Sequence, residues 1–196
     1  DGRVPAEKRQ RYLINGLLEA ERLERGLHNV LKAAGLRSAG AMTVKTAGDL
    51  AVDVSAAVDA MQARALAAEV KLKIRTPESM PAPRDAAAIM LVVRNLIDNA
   101  IKFSPAGTTV HVSLEHQDDG AQLSVVDAGR GLNEEERKRA FEPFWRGDDR
   151  SSGGTGLGLH LVHEMVSAHG GAVRADSAGR DQGSTFVVQL PLEEQV

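Results

Sequence analysis

Between Asp85 and Phe103 the chain reads D-A-A-A-I-M-L-V-V-R-N-L-I-D-N-A-I-K-F. Ile89, Met90, Leu91, Val92, Val93, Leu96, Ile97 and Ile101 make a helix that is apolar on most sides, so it must be largely buried and the rest of the fold has to be built around it. The same helix carries Asn95, Asp98, Asn99 and Lys102. Asn95 and Asn99 project from one face a turn apart, and buried amides need partners. Two readings stand. The amides are core groups satisfied by neighbouring backbone, or their carbonyl oxygens ligate Mg²⁺, a hard ion that takes oxygen donors and shares its shell with water and nucleotide phosphates. On the second reading Lys102, one turn beyond Asn99, reaches a phosphate and Phe103 offers an aromatic face.

The flanking patterns say what this helix packs against. Asp49 caps a helix running to about Ala68, with Leu50, Val54, Ala57, Val58, Met61 and Leu66 on its apolar face. Residues 70–75 alternate strictly, the pattern of a half-buried strand, and the proline-rich stretch 77–83 reads as a turn. Residues 109–116 and 122–127 alternate as two strands joined by an Asp118-Asp119-Gly120 turn that suits a hairpin. Residues 134–140 form a short charged helix, 157–168 a longer one, and 172–177 and 184–190 two closing strands. This order predicts an α+β fold, a two-layer α/β sandwich with a mostly antiparallel sheet and helices on one face. A long N-terminal helix is expected ahead of it over 7–34, where Leu13, Leu17, Ala20, Leu23, Leu27 and Val30 form a stripe of helix-bundle period. That stripe is either the packed face of a solvent-facing helix or a bundle or dimer surface; left exposed, it predicts self-association. A short strand is expected over 42–46, and the boundary between residues 1–38 and the domain of 39–196 falls just before it.

Three loops carry further chemistry. Residues 152–158 read S-G-G-T-G-L-G and run into a helix. Glycines there let backbone N–H groups approach a phosphate, and the helix start adds positive dipole. A flexible loop has the same composition, and the dinucleotide and P-loop spacings are both absent. Asp127 ends a strand of buried character and opens D-A-G-R-G. Its carboxylate suits an exocyclic amine such as adenine's, with Gly129 and Gly131 leaving room for a flat ring, or it belongs to an ordinary Asp-Ala-Gly turn. Phe141, Phe144 and Trp145, interleaved with Arg146 and Arg150, read as a mobile lid whose aromatics pin its base and whose arginines meet phosphates; satellite core is the other reading. His160 and His163 read as a polar helix face in preference to a metal pair.

Composition narrows the class. At 196 residues and 42% hydrophobic, the chain can bury one ordinary core plus an appendage. A net charge of −3 gives no basic field for nucleic acid. The lack of cysteine excludes disulfides and thiol nucleophiles. No apolar run reaches the roughly 18 residues of a membrane span, and no signal-peptide pattern opens the chain. Starting at Asp1 without a methionine, the chain is expected to be a soluble, cytoplasmic fragment.

Five stretches together carry a resemblance. N-L-I-D-N-A-I-K-F-S (95–104), D-A-G-R-G-L (127–132), F-E-P-F-W-R-G (141–147), G-G-T-G-L-G-L (153–159) and G-S-T-F (183–186) resemble, in order and spacing, the N, G1, F, G2 and final G boxes of sensor histidine kinases. The resemblance covers about residues 79–192 and implies the ATP-binding α/β sandwich shared with gyrase, heat-shock chaperone and mismatch-repair ATPases. It implies that Asn95 and Asn99 hold Mg²⁺, that Lys102 touches phosphate and that Phe103 covers adenine. It implies that Asp127 binds the adenine amine in a pocket shaped by Gly129 and Gly131, supported by Thr185. Gly154, Gly156 and Gly158 are implied to form the hinge and phosphate end of the lid, with Thr155 and Leu157 between them and Arg146 and Arg150 completing the nucleotide contacts. Asn95 and Lys102 are the catalytic candidates.

The implied reaction is transfer of the ATP γ-phosphoryl group to a histidine, for onward transfer to a response-regulator aspartate. The implied partners are ATP, a histidine-bearing dimerisation helix, a response regulator and a second copy through the N-terminal helix. Residues 1–38 resemble the second helix of the family's dimerisation and phosphotransfer domain, but no histidine lies in the H-E/D-x-R-T-P motif expected of the first. The chain is therefore expected to bind ATP without labelling itself. Members of the wider fold that hydrolyse ATP have a glutamate where Asn95 stands, and an amide cannot serve as that base. Asn95 thus disfavours a chaperone-like or gyrase-like ATPase, and the intact motifs disfavour a degenerate nucleotide-binding interaction module. The resemblance further implies that the intact protein is anchored in the bacterial inner membrane.

Overall fold

Two aspartates start the two long helices. The computed structural model describes residues 45–118, 120–147 and 156–192; the expected N-terminal helix and the boundary at 38/39 lie outside them. In chain order the elements are β1 (Thr46–Asp49), α1 (Leu50–Ala67), β2 (Lys71–Arg75), β3 (Pro81–Arg84), α2 (Ala86–Phe103), β4 (Thr109–Gln117), β5 (Gly120–Val126), α3 (Glu134–Arg139), α4 (Gly158–Ala168), β6 (Ala172–Asp176) and β7 (Thr185–Leu190). Asp49 caps α1 and Asp85 caps α2, each accepting from N–H groups of the first helical turn that have no partner within the helix.

Asp49 also ties α1 to the loop before β3. Its Oδ2 accepts from the Ser79 hydroxyl at 2.6 Å and its Oδ1 from the Met80 N–H at 3.0 Å. These bonds, Ser79's foremost, hold the carboxyl at about 2, below its ordinary 3.8. A carboxylate depressed in the folded state adds stability above its unfolded value and loses it as pH falls through the folded one. Asp49→Asn is therefore expected to flatten the loss of stability between pH 3.8 and about 2, read from urea midpoints. An unchanged slope in that window would contradict the assignment.

The main sheet runs β2-β4-β5-β7-β6, antiparallel except for the parallel β2–β4 pair at one edge. Its inner face buries Val110, Val112, Leu114, Leu123, Val125, Phe186 and Val188 beneath α1, α2 and α4. The central helix, α2, lies between the other two, with Val93, Leu96, Ile97 and Ala100 fully buried. This is the expected two-layer α/β sandwich. Strand β2 is less buried than its alternation suggests, with Ile74 41% exposed, because it is an edge whose Lys71, Lys73 and Arg75 stand in solvent.

The expected turn over 77–83 is in part a strand: β3 pairs antiparallel with β1 as a separate ribbon, Ala47 opposite Pro83 and Asp49 opposite Pro81. Prolines two apart direct their missing N–H groups the same way, and a two-stranded ribbon has one unpaired side to accept them. Of the strand expected over 42–46, residues 42–44 lie outside the described residues, and β1 begins at Thr46, its last residue.

At its far end α4 closes on the start of α2. His169 is buried, and the Asp85 N–H donates to its Nε2 at 3.1 Å. The proton is therefore on Nδ1, which donates to the Met165 carbonyl at 2.7 Å. Among the described residues no helix is long and apolar enough to cross a membrane.

Candidate functional site

A cleft of about 600 Å³ opens between α2, the end of β5 and the start of α4. Asn95, Asn99, Lys102 and Phe103 form one wall, because their spacing along α2 turns them to the same side while Leu96, Ile97 and Ile101 turn into the core. The Asn95 Nδ2 donates to the Leu91 carbonyl at 2.8 Å, within its own helix. Its Oδ1 consequently faces Gly158 at the start of α4, where an added Cβ would come to 2.9 Å of it. Backbone thus satisfies half of the Asn95 amide, and the other half is presented to the cleft.

Asp127 lies at the opposite end, one residue past β5, and is 9% exposed. Its Oδ1 accepts from the Gly129 N–H at 2.8 Å and the Ser184 N–H at 3.1 Å. Among the described residues Oδ2 accepts no hydrogen bond. Burial pushes the carboxyl above its ordinary value, and the two N–H bonds only partly oppose that rise. Gly131 lines the cleft beside it, with φ +66°, where a Cβ would collide with the Gly179 carbonyl oxygen. Gly183 passes as closely over the Asp127 carbonyl, and its N–H donates to the Gly129 carbonyl at 3.0 Å. The D-x-G-x-G turn and the 183–184 turn therefore lock together around the carboxylate.

Phe103 sits between the two ends. The Lys102 ammonium is 4.8 Å and the Arg130 guanidinium 5.2 Å from its ring centroid. Arg130 is held by Glu136, whose Oε1 accepts from it at 2.8 Å and pairs with Arg180 at 3.1 Å, while Oε2 accepts from the Asn133 N–H at 2.9 Å. Burial raises the Glu136 carboxyl, but the Asn133 N–H and the two arginines together outweigh it and the net shift is downward. A charged Glu136 thus fixes one side of the cleft.

The segment before α4 contributes Trp145, Arg146 and Gly147, and then Gly156, Gly158 and Leu159. Among the described residues no side chain caps the start of α4, whose N-terminal end faces the cleft and favours negative charge there. Phe141 packs edge-on against Phe186 at 6.4 Å and is anchored on the sheet, as either a lid base or satellite core would be. Phe144 does not share that role, being 71% exposed with φ +59°.

Of the residues expected at the site, Asn95, Asn99, Lys102, Phe103, Asp127, Gly131, Arg146, Gly156 and Gly158 line one cleft. Arg150, Gly154 and Thr155 lie outside the described residues. Gly129, Leu157 and Thr185 do not line it. Gly129 acts one layer back, through its bond to Asp127. Thr185 alternates with the inward Phe186 and Val188, so its side chain is on the sheet's other face; the residue that reaches Asp127 is Ser184. Sequence reasoning also passed over Arg64, Asp98 and Arg130 as cleft residues. Arg130 was visible as the one basic residue in D-A-G-R-G, whereas Arg64 had no motif around it.

Residues 84–194 match the family described as histidine kinase-, DNA gyrase B-, and HSP90-like ATPase. The sensor-like histidine kinase SenX3 of Mycobacterium tuberculosis is 31% identical over 189 residues, 95% of this chain and 46% of SenX3, so the chain spans under half of that relative's length. The signal transduction histidine-protein kinase/phosphatase MprB of a Mycobacterium species is 44% identical over 112 residues, 55% of this chain and 22% of its own. Among solved structures, the mycobacterial sensor histidine kinase MprB aligns with a TM-score of 0.68 at 29% identity, covering 78% of this chain and 100% of that one. Full-length ShkA in complex with AMPPNP aligns with a TM-score of 0.73 at 27% identity, covering 99% of this chain and 41% of ShkA.

Proposed function

The chain belongs to the histidine kinase-, DNA gyrase B-, and HSP90-like ATPase family and carries the catalytic ATP-binding domain of sensor histidine kinases; from that premise we propose that its cleft seats adenine against Asp127 and the triphosphate along Asn95, Asn99 and Lys102, for transfer of the γ-phosphoryl group to a histidine. One observation supports this orientation above others: a buried carboxylate with an uncommitted oxygen at one end of the cleft, and amide oxygens with a lysine at the other. Asp127 Oδ2 accepts from the adenine amine, while Gly131 keeps the ring's path clear. Phe103 covers the base. The start of α4, Lys102 and Arg146 meet the phosphates, and Arg150, Gly154 and Thr155 are the lid's further contacts.

The donor set fits Mg²⁺. Asn95, its Nδ2 tied to Leu91, presents only its oxygen, and Asn99 stands one turn away in the same cleft, so both offer the hard neutral oxygens this ion accepts beside phosphate. When bound, the ion would supply charge neutralisation between the phosphates. The chain's own residues position the nucleotide and exclude water, which is most of what phosphoryl transfer asks of a protein. An imidazole nitrogen forms the new P–N bond as the bond to the β-phosphate oxygen breaks, and ADP leaves. Asn95 cannot activate water as a glutamate would, which favours transfer over hydrolysis.

None of the six histidines sits in an H-E/D-x-R-T-P context, so the acceptor is a dimerisation helix of the intact kinase and this chain alone binds ATP without labelling itself. Residues 1–38 would belong to that dimerisation domain and pair with a second copy through the stripe from Leu13 to Val30. The onward acceptor is a response-regulator aspartate, and the intact kinase is anchored in the bacterial inner membrane.

Trp145, the only tryptophan, lines the cleft and reports on it. ATP titration is expected to give a saturable, Mg²⁺-sensitive fluorescence change, with calorimetry on the same samples. Asn99→Ala is expected to remove the Mg²⁺ sensitivity and to weaken Mg²⁺-ATP binding roughly tenfold, while metal-free ATP binds as before. Phosphohistidine should then appear only when a histidine-bearing dimerisation domain is added. Steady ADP release without it would favour the ATPase reading, and absence of nucleotide binding in both assays would sink the proposal.

A further inference from the structure

Arg64 lines the cleft without belonging to any of the five sequence stretches that, with Ala140, form the rest of it. It stands in the last turn of α1 and reaches across to α2, where its Nε pairs with Asp98 Oδ1. Asp98 lies between Asn95 and Asn99 in sequence and lines the same cleft. The two side chains are 57% and 41% exposed, and an ion pair this open to water adds little to stability. Its geometry is more informative than its energy. The carboxylate lies on the Nε side of the guanidinium, and among the described residues Nη1 and Nη2 make no hydrogen bond; that outer edge is a ready donor pair for a phosphate oxygen.

We propose that Arg64 is a phosphate-positioning residue contributed by α1, oriented by Asp98 and directed at the terminal phosphates of the bound nucleotide. The place along α2 selects the phosphates over the base: Asp127 marks the base end, and Asp98 lies among the residues of the other end. Arg64 has a second effect through Asp98. Left unpaired, that carboxylate would repel the polyphosphate from within the wall that must hold it, and the arginine neutralises it. Losing Arg64 therefore removes an attraction and exposes a repulsion together.

The inference rests on the nucleotide reading above, and its test separates the two. Binding of ATP, ADP and adenosine is measured by calorimetry for the parent chain, Arg64→Met, Arg64→Lys and Arg64→Met with Asp98→Asn. Arg64→Met is expected to weaken ATP by roughly tenfold or more and ADP less, with adenosine changed by less than about twofold. Arg64→Lys should recover part of the loss, since it keeps the charge but not the fork. The double variant should recover part by removing the exposed repulsion. Unchanged melting temperatures establish that the fold is intact. ATP affinity unaltered in Arg64→Met, or lost in equal measure for ATP and adenosine, overturns the role of Arg64 while leaving the nucleotide site in place. A parent chain that binds neither ATP nor adenosine overturns both.

Discussion

Asp127→Asn is expected to weaken ATP binding about 100-fold while leaving the fold intact, because it exchanges an acceptor for a donor at the point proposed to meet the adenine amine. The Gly129 and Ser184 N–H groups both point at Oδ1. An asparagine must keep its own oxygen there to satisfy them, so its Nδ2 falls where Oδ2 stood and two donors face each other across the base. A charge-assisted hydrogen bond is lost and an unpaired amine is left in the cleft, together roughly 2–3 kcal/mol. Stability should move the other way. Burial raises the Asp127 carboxyl, so this group's favourable contribution to stability is present in acid and is lost as pH rises through the raised value. The asparagine keeps both N–H bonds with no charge to desolvate, and thermal melts near neutral pH should place the variant at or above the parent. The same shift predicts that parent ATP affinity declines as pH is lowered through the raised carboxyl value, since protonated Oδ2 turns from acceptor to donor, and that the Asp127→Asn variant shows no such decline. Calorimetry across pH reads both effects. An affinity equal to the parent's would remove Asp127 from the base pocket.

Gly131→Ala is expected to be the most damaging small substitution at the site, destabilising by roughly 2–5 kcal/mol. Two costs coincide there. The backbone is held at φ +66°, and the new Cβ would fall on the Gly179 carbonyl oxygen and 3.0 Å from Ser177 Oγ. Neither neighbour can give way easily, because Ser177 Oγ accepts from the Leu132 N–H at 3.0 Å and donates to the Gly183 carbonyl at 2.7 Å. Gly107 provides the control. Its φ is +84° but a Cβ there would meet nothing within 4 Å, so Gly107→Ala carries the backbone cost alone, about 1–2 kcal/mol. Urea midpoints at constant m separate the two. Equal losses at both positions would show that the turn around Asp127 yields, and that its tightness does not shape the pocket.

The parts of this architecture that were legible from sequence are those governed by local rules. Asp49 marked a helix start because a side chain that accepts from the first free N–H groups acts within three residues. The amide pair on α2 was legible because polar groups on a buried helix demand an explanation. What escaped depended on partners far along the chain. Pro81 and Pro83 read as a turn until β1 supplied a ribbon with one open side for them. Arg64 looked like an ordinary solvated helix residue, because nothing near it in sequence announces that α1 ends against Asp98. Thr185 was a different kind of miss. The inward set Phe186, Val188 and Leu190 already fixes its parity, and the alternation was there to be used.

The helix α4 meets α2 at two places: Gly158 against Asn95 at its beginning, and His169 on the Asp85 N–H at its end. Those points are ten residues apart on α2 and eleven on α4, about 15 and 16 Å at the helical rise, so the shorter α4 runs antiparallel along the first part of α2, bonded to it at one end and in close contact with it at the other. A helix held so cannot slide. The Asn95 oxygen therefore keeps a fixed address on the buried helix, and a nucleotide entering the cleft meets a seat already assembled.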